Sequence, residues 1–326
     1  MGRFTELTDA DVRALATALE LGAVRAWRPV DAGTINSNFA LESDRGRFFL
    51  RINEGKREED VRYEAELVAA LAARGVSTPL PVRAGDGRPY APFGDRFASA
   101  FPWVDGHHRD LGEVSADDAR RVGRELARLH RAGADLGPEH RRAGIYTTAL
   151  IAERCRGFCA DPDPVLAPAI AAIGDELAWL EARAPARAAG TQGIIHGDLF
   201  RDNVLLGAGA VTLPTVTLID FEQASWGSWA YDLAVTLCAW CYTDDFQADL
   251  VAGLVAGYAE VAPALAPELL WIEARAAAMR FTVTRITDVY LARTGQEGKD
   301  FRRYLARLER LRAAGSHGFA AWMAPM

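Results

Sequence analysis

The sequence predicts an α+β fold with two lobes, the first small and rich in strands, the second larger and mostly helical. The chain has 326 residues, a length that suits two domains, each with its own core. Short apolar runs separated by polar turns dominate up to about residue 103, as is typical of strands. After Gly106, apolar residues recur instead at helical spacing. We therefore assign residues 1–104 to the N-terminal lobe and residues 105–326 to the C-terminal lobe.

The elements of the N-terminal lobe follow from caps, periodicity and turns. Thr8 and Asp11 form the capping pattern of a helix over residues 8–20, and Gly75 suits the C-terminal end of a second helix over 58–74. Turn residues separate the apolar runs around these helices. Strands are predicted over residues 24–29, 38–42, 48–52, 79–83, 89–90 and 96–103.

The C-terminal lobe begins with a helix over residues 115–132, which Ser115 and Asp118 can cap. Val122, Leu126 and Leu129 lie on one face of this helix. A segment of strands and loops is expected over 194–221. The remaining helices are predicted over residues 146–158, 164–183, 229–242, 245–260, 267–292 and 299–314.

Composition and charge exclude several classes of function. Lys and Arg number 37 against 44 Asp and Glu, a formal net charge of −7, whereas proteins that grip nucleic acid normally carry a basic excess. No apolar run approaches the roughly 20 residues that span a bilayer. The first residues lack the apolar core of a signal peptide. We expect a soluble, cytoplasmic protein that binds neither nucleic acid nor membrane; the sequence carries no signal for an oligomeric state.

The four cysteines form two close pairs, Cys155 with Cys159 and Cys238 with Cys241. Two such pairs can in principle make a four-thiolate zinc site. The second pair, however, lies in a continuous apolar run with no nearby His. We therefore expect these cysteines to pack as small hydrophobic side chains.

The most informative stretch is residues 194–206, IIHGDLFRDNVLL, which is followed by LIDFE at 218–222. Mg²⁺ prefers hard oxygen ligands and usually takes one or two carboxylates together with phosphate oxygens. Asn203 and Asp220 can supply the ligands from the protein. Asp198 is then available to accept a hydrogen bond from a substrate hydroxyl. Protein-kinase catalytic loops divide the work in this way.

Two neighbours of these residues each have two interpretations. His196 can serve as a general base, because an imidazole titrates near neutrality. We favour instead a role in bracing the backbone of the loop. Glu222 can be a further carboxylate near the metal or the acceptor, or it can lie in a solvated turn.

The N-terminal lobe is expected to bind ATP. The polar loop over 31–38, which includes Asn36 and Ser37, suits the covering of phosphates by backbone N–H groups. Arg51 ends the third predicted strand, where its guanidinium can contact phosphate, and Glu64 in the next helix can orient it. Lys56 is the alternative phosphate cation.

The junction between the lobes offers a place for the adenine base. Residues 101–106 read FPWVDG, and Trp103 and Val104 can line a pocket whose backbone groups contact the base. The alternative is a plain apolar linker.

Taken with their order and spacing, His196, Gly197, Asp198, Asn203 and Asp220 resemble the aminoglycoside-phosphotransferase-like superfamily of small-molecule kinases. Within it, the chain is most similar to the homoserine kinases of this fold. That similarity spans nearly the whole chain, through the segments 36–39, 73–82, 123–135, 198–204, 230–234, 239–242 and 279–285. Two residues depart from it, since those kinases usually carry Ala where Gly197 stands and an aromatic residue where Glu222 stands.

The resemblance implies a bilobal protein-kinase-like fold and ATP-dependent O-phosphorylation of L-homoserine, with Mg²⁺, as a step toward threonine. An amino-acid acceptor needs partners for its carboxylate and its ammonium. Arg280 and Arg285 are candidates for the carboxylate, with ordinary surface arginines as the alternative, and Tyr231 and Asp232 are candidates for the ammonium. Two other functions remain open: a kinase of an aminoglycoside, amino alcohol or sugar, and a non-catalytic nucleotide-binding regulator.

Overall fold

The computed structural model describes residues 5–30, 36–207 and 215–324 and confirms the α+β class. The chain packs as two compact units. The first contains the residues up to 107 together with 205–222, and the second contains 108–204 and 223–326. The chain first passes between units three residues after the predicted boundary at 104, and residues 205–222 return to the first unit. The assignment of nucleotide and acceptor to separate lobes stays a prediction.

The first unit is built on a five-stranded antiparallel sheet with the strand order β1-β2-β3-β5-β4. A further pair of strands, β7 and β8, forms a separate two-stranded sheet. The bounds are β1 Val24–Val30, β2 Ser37–Ser43, β3 Gly46–Asn53, β4 Ala91–Phe93, β5 Arg96–Pro102, β7 Val204–Gly207 and β8 Thr215–Leu218, with helices α1 Asp9–Ala18 and α2 Glu58–Ala72.

Local sequence signals explain where these elements begin. Thr8 caps α1 through the predicted reciprocal hydrogen bonds with Asp11, because each side chain accepts from the backbone N–H of the other. The apolar face of α1 packs with alternate residues of β2 and β3 in one buried core, to which Leu15, Phe39 and Leu50 belong. The sheet is thereby held from one side, and β3 carries Arg51 into the interior.

The strand predicted over residues 79–83 does not form, and β4 starts at Ala91 rather than at residue 89. Pro79 and Pro81 have no N–H to donate to a ladder, which explains the irregular segment. One backbone hydrogen bond, from Val82 N–H to the Ala100 carbonyl at 2.7 Å, still ties this segment to β5.

The second unit is mostly helical. Ser115 caps its first helix with Asp118, as the sequence predicts. The short helix α6 and the strand β9 were not predicted. The bounds are α3 Ala116–Ala134, α4 Thr148–Arg156, α5 Ala167–Glu181, α6 Ala184–Ala188, β6 Gln192–Ile195, β9 Ser225–Ser228, α7 Trp229–Trp240, α8 Ala248–Ala259, α9 Pro267–Arg285 and α10 Arg302–Trp322.

Helices α7 and α9 are buried on nearly all sides and form the centre of the second unit. The sequence predicts one helix over 267–292, whereas α9 ends at Arg285 and a turn of π-helix follows over Ile286–Leu291. Helix α10 extends beyond its predicted end at residue 314, with a kink at Gly315 where φ is +64°. Because α9 is buried all round, its charged residues must find partners inside the protein.

Three of the four cysteines lie in the interior of the protein. Cys155, Cys238 and Cys241 are buried and Cys159 is exposed, and burial raises the pKa of the Cys238 thiol to about 12. Among the described side chains, no three of His, Cys, Asp and Glu converge as a metal site. Within the described ranges, no helix is both long and apolar enough to cross a membrane.

Helices α3 and α8 approach so closely that glycine is required at the contact. A Cβ atom at Gly257 would lie 1.9 Å from the carbonyl oxygen of Arg120, and one at Gly123 would lie 2.0 Å from that of Leu254. Such backbone atoms cannot move aside as a flexible side chain would, because each belongs to a helix. The contact matters for function since α3 supplies a residue to the site described below.

Gly257→Ala is expected to destabilise the protein by about 1–3 kcal/mol, because the added methyl group forces α3 and α8 apart. Gly174→Ala in α5 is the matched control. Its Cβ would meet nothing within 4 Å, so it should stabilise by about 0.5–1 kcal/mol through the higher helix propensity of alanine. Urea denaturation measures both, and equal effects of the two substitutions would contradict the close helix contact.

Candidate active site

The loop that follows β6 is anchored by a buried carboxylate. The backbone N–H groups of His196 and Gly197 donate to the two carboxylate oxygens of Asp232, each at 2.7 Å. His130 of α3 donates from Nε2 to the same carboxylate at 2.9 Å, and its Nδ1 lies 2.7 Å from the hydroxyl of Tyr258. This network fixes the backbone from which Asp198 projects.

The structure corrects the expectation that Asp232 binds the acceptor ammonium. Its side chain is fully buried, and both of its oxygens are occupied by the loop and by His130. Burial raises the pKa of Asp232, but the hydrogen bond and charge of His130 and the backbone donors outweigh burial and lower the pKa overall. Asp232 is therefore a positioning residue that stays ionised.

His130 was missed by the sequence analysis, although a signal was present. It lies four residues after Leu126 and eight after Val122, on the apolar face of α3. Its ring is fully buried and stacks on Trp229 with centroids 5.1 Å apart. His196 is likewise fully buried, which agrees with the bracing role rather than that of a base.

Asp198 meets Arg280 within the second unit. Arg280 Nη1 donates to Asp198 Oδ1 at 3.1 Å, and the Asp198 side chain remains 30 % exposed. The amide nitrogen of Asn203 donates to the Asp198 backbone carbonyl at 2.8 Å. The alternative of a surface arginine is wrong for Arg280, which is only 4 % exposed in α9. Asp198 is thus held both at its backbone and at one of its carboxylate oxygens.

Arg285 and Tyr231, the other predicted acceptor residues, differ in their environments. The guanidinium of Arg285 lies 4.3 Å from the ring of Tyr304 and donates to the Asp300 carbonyl at 3.3 Å. The hydroxyl of Tyr231 in the first turn of α7 is buried and has no hydrogen-bond partner. Burial raises the pKa of this hydroxyl to about 12, so it is a donor at neutral pH.

Within the first unit, the predicted nucleotide residues form one cluster of charges. Arg51 on β3 donates from Nη2 to Glu64 Oε1 of α2 at 2.7 Å, and its Nη1 lies 3.5 Å from Asp220 Oδ1. Lys56 lies 3.5 Å from Glu64 Oε2 and also contacts the carboxylate of Glu222. The two cations that the sequence offered as alternatives therefore share Glu64.

These contacts have opposite effects on two carboxyl groups. Burial raises the pKa of Glu64, but the charges of Arg51 and Lys56 outweigh burial and lower the pKa to about 2. Burial and the neighbouring charge of Glu222 raise the pKa of Asp220 to about 8, although Arg51 opposes that shift. Arg51 stays protonated, because its carboxylate neighbours raise its pKa despite burial. Glu64 therefore acts as a fixed anion that orients Arg51.

Asn36 and Ser37, at the start of β2, have different hydrogen-bond partners. Asn36 donates to Glu222 Oε2 at 3.1 Å and accepts from the Glu54 N–H at 3.2 Å, so it joins the charged cluster. The part of Ser37 in covering the nucleotide through its backbone stays a prediction, while its side chain bonds within the protein. Its fully buried hydroxyl donates to Glu54 Oε1 at 2.7 Å and accepts from the Thr5 N–H at 2.9 Å. The rest of the loop expected to cover phosphates, residues 31–35, lies outside the described residues.

Trp103 and Val104 directly follow β5 and are both partly buried. The Trp103 N–H donates to the Arg47 carbonyl at 2.9 Å, and the Arg47 guanidinium lies 5.9 Å from the Trp103 ring centroid. Their part in binding a base stays a prediction.

Asn203 and Asp220 each offer an oxygen that suits a hard metal ion. Because the amide nitrogen of Asn203 is engaged by the Asp198 carbonyl, its amide oxygen is left as the available donor atom. Asp220 has φ of +65°, a left-handed conformation that costs a non-glycine residue about 1–3 kcal/mol, and its buried Oδ1 accepts no hydrogen bond. Such backbone strain is typical of a functional residue, and the oxygens of Asn203 and Asp220 are each of the hard kind that Mg²⁺ prefers.

Comparison with known proteins relates most of the chain to kinases. A family model described as phosphotransferase enzyme family matches residues 26–271. The chain is 35 % identical over 295 residues to a homoserine kinase of Methylobacterium radiotolerans, with 88 % of each chain covered. It is 33 % identical over 322 residues to a homoserine kinase of Methylocella silvestris, with 97 % of each chain covered.

Solved structures share the fold at low sequence identity. The amicoumacin kinase hAmiN in complex with AMP-PNP, Ca²⁺ and Ami superposes with a TM-score of 0.72 at 13 % identity, covering 95 % of both chains. A Plasmodium vivax ethanolamine kinase gives a TM-score of 0.67 at 12 % identity, covering 95 % of this chain and 92 % of that chain. At these identities the likeness shows the fold alone.

Asp232→Ala is expected to lower the free energy of unfolding by about 3–5 kcal/mol, because it leaves His130 and two backbone N–H groups buried without an acceptor. Asp288→Ala is the matched control. It removes a half-exposed carboxylate whose surface ion pair with Arg154 is worth at most about 1 kcal/mol. Urea denaturation compares the two, and a loss below about 1 kcal/mol for Asp232→Ala would show that this carboxylate does not anchor the loop.

Proposed function

The chain belongs to the phosphotransferase enzyme family, and on that premise we propose that it is an ATP-dependent kinase that phosphorylates the hydroxyl of L-homoserine. The observation that carries the proposal is the placement of Asp198. Its backbone is tied to Asn203 and its loop to Asp232, while its carboxylate is partly exposed. That is the arrangement a phosphoryl-transfer enzyme needs to orient an acceptor hydroxyl.

In the proposed reaction, Asp198 accepts a hydrogen bond from the acceptor hydroxyl and aligns its oxygen with the γ-phosphorus. Arg280 holds Oδ1, which leaves Oδ2 to receive that proton. The new bond forms between the acceptor oxygen and phosphorus as the bond to the β-phosphate oxygen breaks. Because the transition state is loose, the proton moves late and the base contributes mainly by orientation.

The first unit supplies the groups proposed for the nucleotide. Arg51 is buried and fixed by Glu64, so its guanidinium is preorganised to contact phosphate oxygens. Lys56 is the second cation in the same cluster. Trp103 and Val104 are proposed to contact the adenine, and Asn36 to keep Glu222 beside Lys56.

Asn203 and Asp220 are proposed to hold Mg²⁺, since both offer hard oxygen atoms. When bound, the ion neutralises charge on the β- and γ-phosphates. The residues of the chain do the rest: Asp198 orients the hydroxyl, and Arg51 and Lys56 carry the positive charge of the first unit.

L-Homoserine is favoured as acceptor because several relatives that cover most of the chain are named for it. The two departures from that group have local explanations. Glu222 pairs with Lys56 and Asn36, so its carboxylate serves the charged cluster of the first unit. Gly197 has φ of +77°, a conformation that strains any residue with a Cβ atom.

Purified protein assayed with ATP and Mg²⁺ is expected to phosphorylate L-homoserine with a kcat/KM at least about 100-fold above that for serine, choline, ethanolamine or kanamycin. The expectation follows from the differential binding that a site built for one polar acceptor provides. A coupled assay of ADP release measures the panel. A higher kcat/KM for any other acceptor would refute L-homoserine as substrate and leave the kinase assignment standing.

A further inference from the structure

Several buried donors in the described part of the second unit have no hydrogen-bond partner. They include the hydroxyls of Tyr231 and Tyr304 and the Nε atoms of Arg280 and Arg187. Leaving such groups unsatisfied costs a folded protein stability, so their retention needs an explanation. Arg187 binds Glu273 at 2.8 Å and Thr148 at 2.7 Å through its other nitrogens. Arg280 is singled out because its Nη1 donates to Asp198, and Tyr231 because its helix, α7, packs against α9.

Arg280 is built into the site rather than placed on a surface. Its Nη1 binds Asp198, and its guanidinium carbon lies 4.0 Å from the centroid of the Tyr146 ring and 3.7 Å from that of Phe281. The two aromatic rings fix the plane of the guanidinium, and the ion pair fixes its direction. Asp198 thus occupies Nη1 of the guanidinium, whereas the N–H at Nε has no acceptor in the protein.

Tyr231 belongs to the same electrostatic environment. Burial is the main cause that raises the pKa of its hydroxyl, and the charge of Arg280 is the largest opposing influence, followed among charges by Glu273, Arg187 and Asp198. Tyr231 lies in α7, which packs against α9, the helix that carries Arg280. A buried hydroxyl with no acceptor of its own, on a helix packed against that of a buried cation, suits an anionic ligand.

We propose that the Tyr231 hydroxyl and the Arg280 guanidinium bind the α-carboxylate of the amino-acid acceptor, next to the Asp198 that orients its hydroxyl. This inference rests on the proposed function, and it assigns Tyr231 to the carboxylate rather than to the ammonium. A carboxylate has lone pairs to accept from both donors. The guanidinium of Arg280 has several N–H groups, so it can donate to this carboxylate and still bind Asp198. Because an amino acid is a zwitterion, its entry brings no net charge into the buried site.

Arg285, the other candidate for the carboxylate, is not assigned. Its guanidinium is already placed over Tyr304 and bound to the carbonyl of Asp300. Tyr231 is the residue to test, since its hydroxyl can be removed without touching the ion pair of Asp198.

The experiment compares Tyr231→Phe with wild type on L-homoserine and on 3-amino-1-propanol, which keeps the hydroxyl and ammonium but lacks the carboxylate. The KM for L-homoserine should rise by about 10- to 100-fold, as for the loss of a hydrogen bond to a charged group, with kcat within about threefold. The kinetic constants for 3-amino-1-propanol should be unchanged. Tyr290→Phe is the matched control, because its hydroxyl donates to Asp163 in a partly buried contact far along the chain from the Asp198 loop.

Thermal unfolding without substrate gives a second readout. Since the Tyr231 hydroxyl has no partner in the protein, Tyr231→Phe should leave Tm unchanged or raise it. A lower Tm, or failure to fold, would show that the hydroxyl serves the fold and would overturn the inference.

The kinetic outcomes separate this inference from the proposed function. If wild type phosphorylates L-homoserine and Tyr231→Phe does so with the same KM, or if the KM values of both acceptors rise equally, the carboxylate assignment fails and the proposed function stands. If wild type prefers 3-amino-1-propanol, or uses neither acceptor, the proposed function fails and the inference fails with it.

Discussion

Two consecutive backbone N–H groups, those of His196 and Gly197, converge on the buried carboxylate of Asp232, which also accepts from His130. A buried charge is tolerated only when hydrogen bonds satisfy it, and here every donor is itself held in place. The loop can therefore adopt one backbone path. The position of Asp198, the next residue in the chain, is a consequence of that constraint.

In the first unit the charges are reversed, because carboxylates hold two cations in place. Arg51 and Lys56 are held by Glu64, and Glu222 adds a second carboxylate to Lys56. Fixed cations stabilise developing negative charge at little reorganisation cost, because the protein has already oriented them. Arg280 in the second unit is also oriented in advance, by two aromatic rings and by Asp198.

Several of these features could be predicted from the sequence, because they depend on residues that lie close together in the chain. The capping pairs after Thr8 and Ser115 start helices where predicted, and the residues around Asp198 identified the family. The residue roles that the sequence did not predict depend on contacts between distant segments of the chain. His130 meets Asp232 across 102 positions, so no local pattern assigned it a role, and Asp232 itself was predicted to bind the ammonium of the acceptor. The strand predicted at 79–83 failed because alternating prolines outweighed its apolar character.

If Asp198 orients the acceptor hydroxyl and does not bind the nucleotide, removal of its charge should lower turnover and leave ATP binding intact. Asp198→Asn keeps the shape of the side chain and removes its charge, while Asp202→Asn changes an exposed neighbour in the same loop. Kinetic assays and ATP titration of both variants should show a loss of kcat of about 1000-fold or more only for Asp198→Asn, with the Kd for ATP within about threefold of wild type. A kcat near the wild-type value for Asp198→Asn would contradict the account.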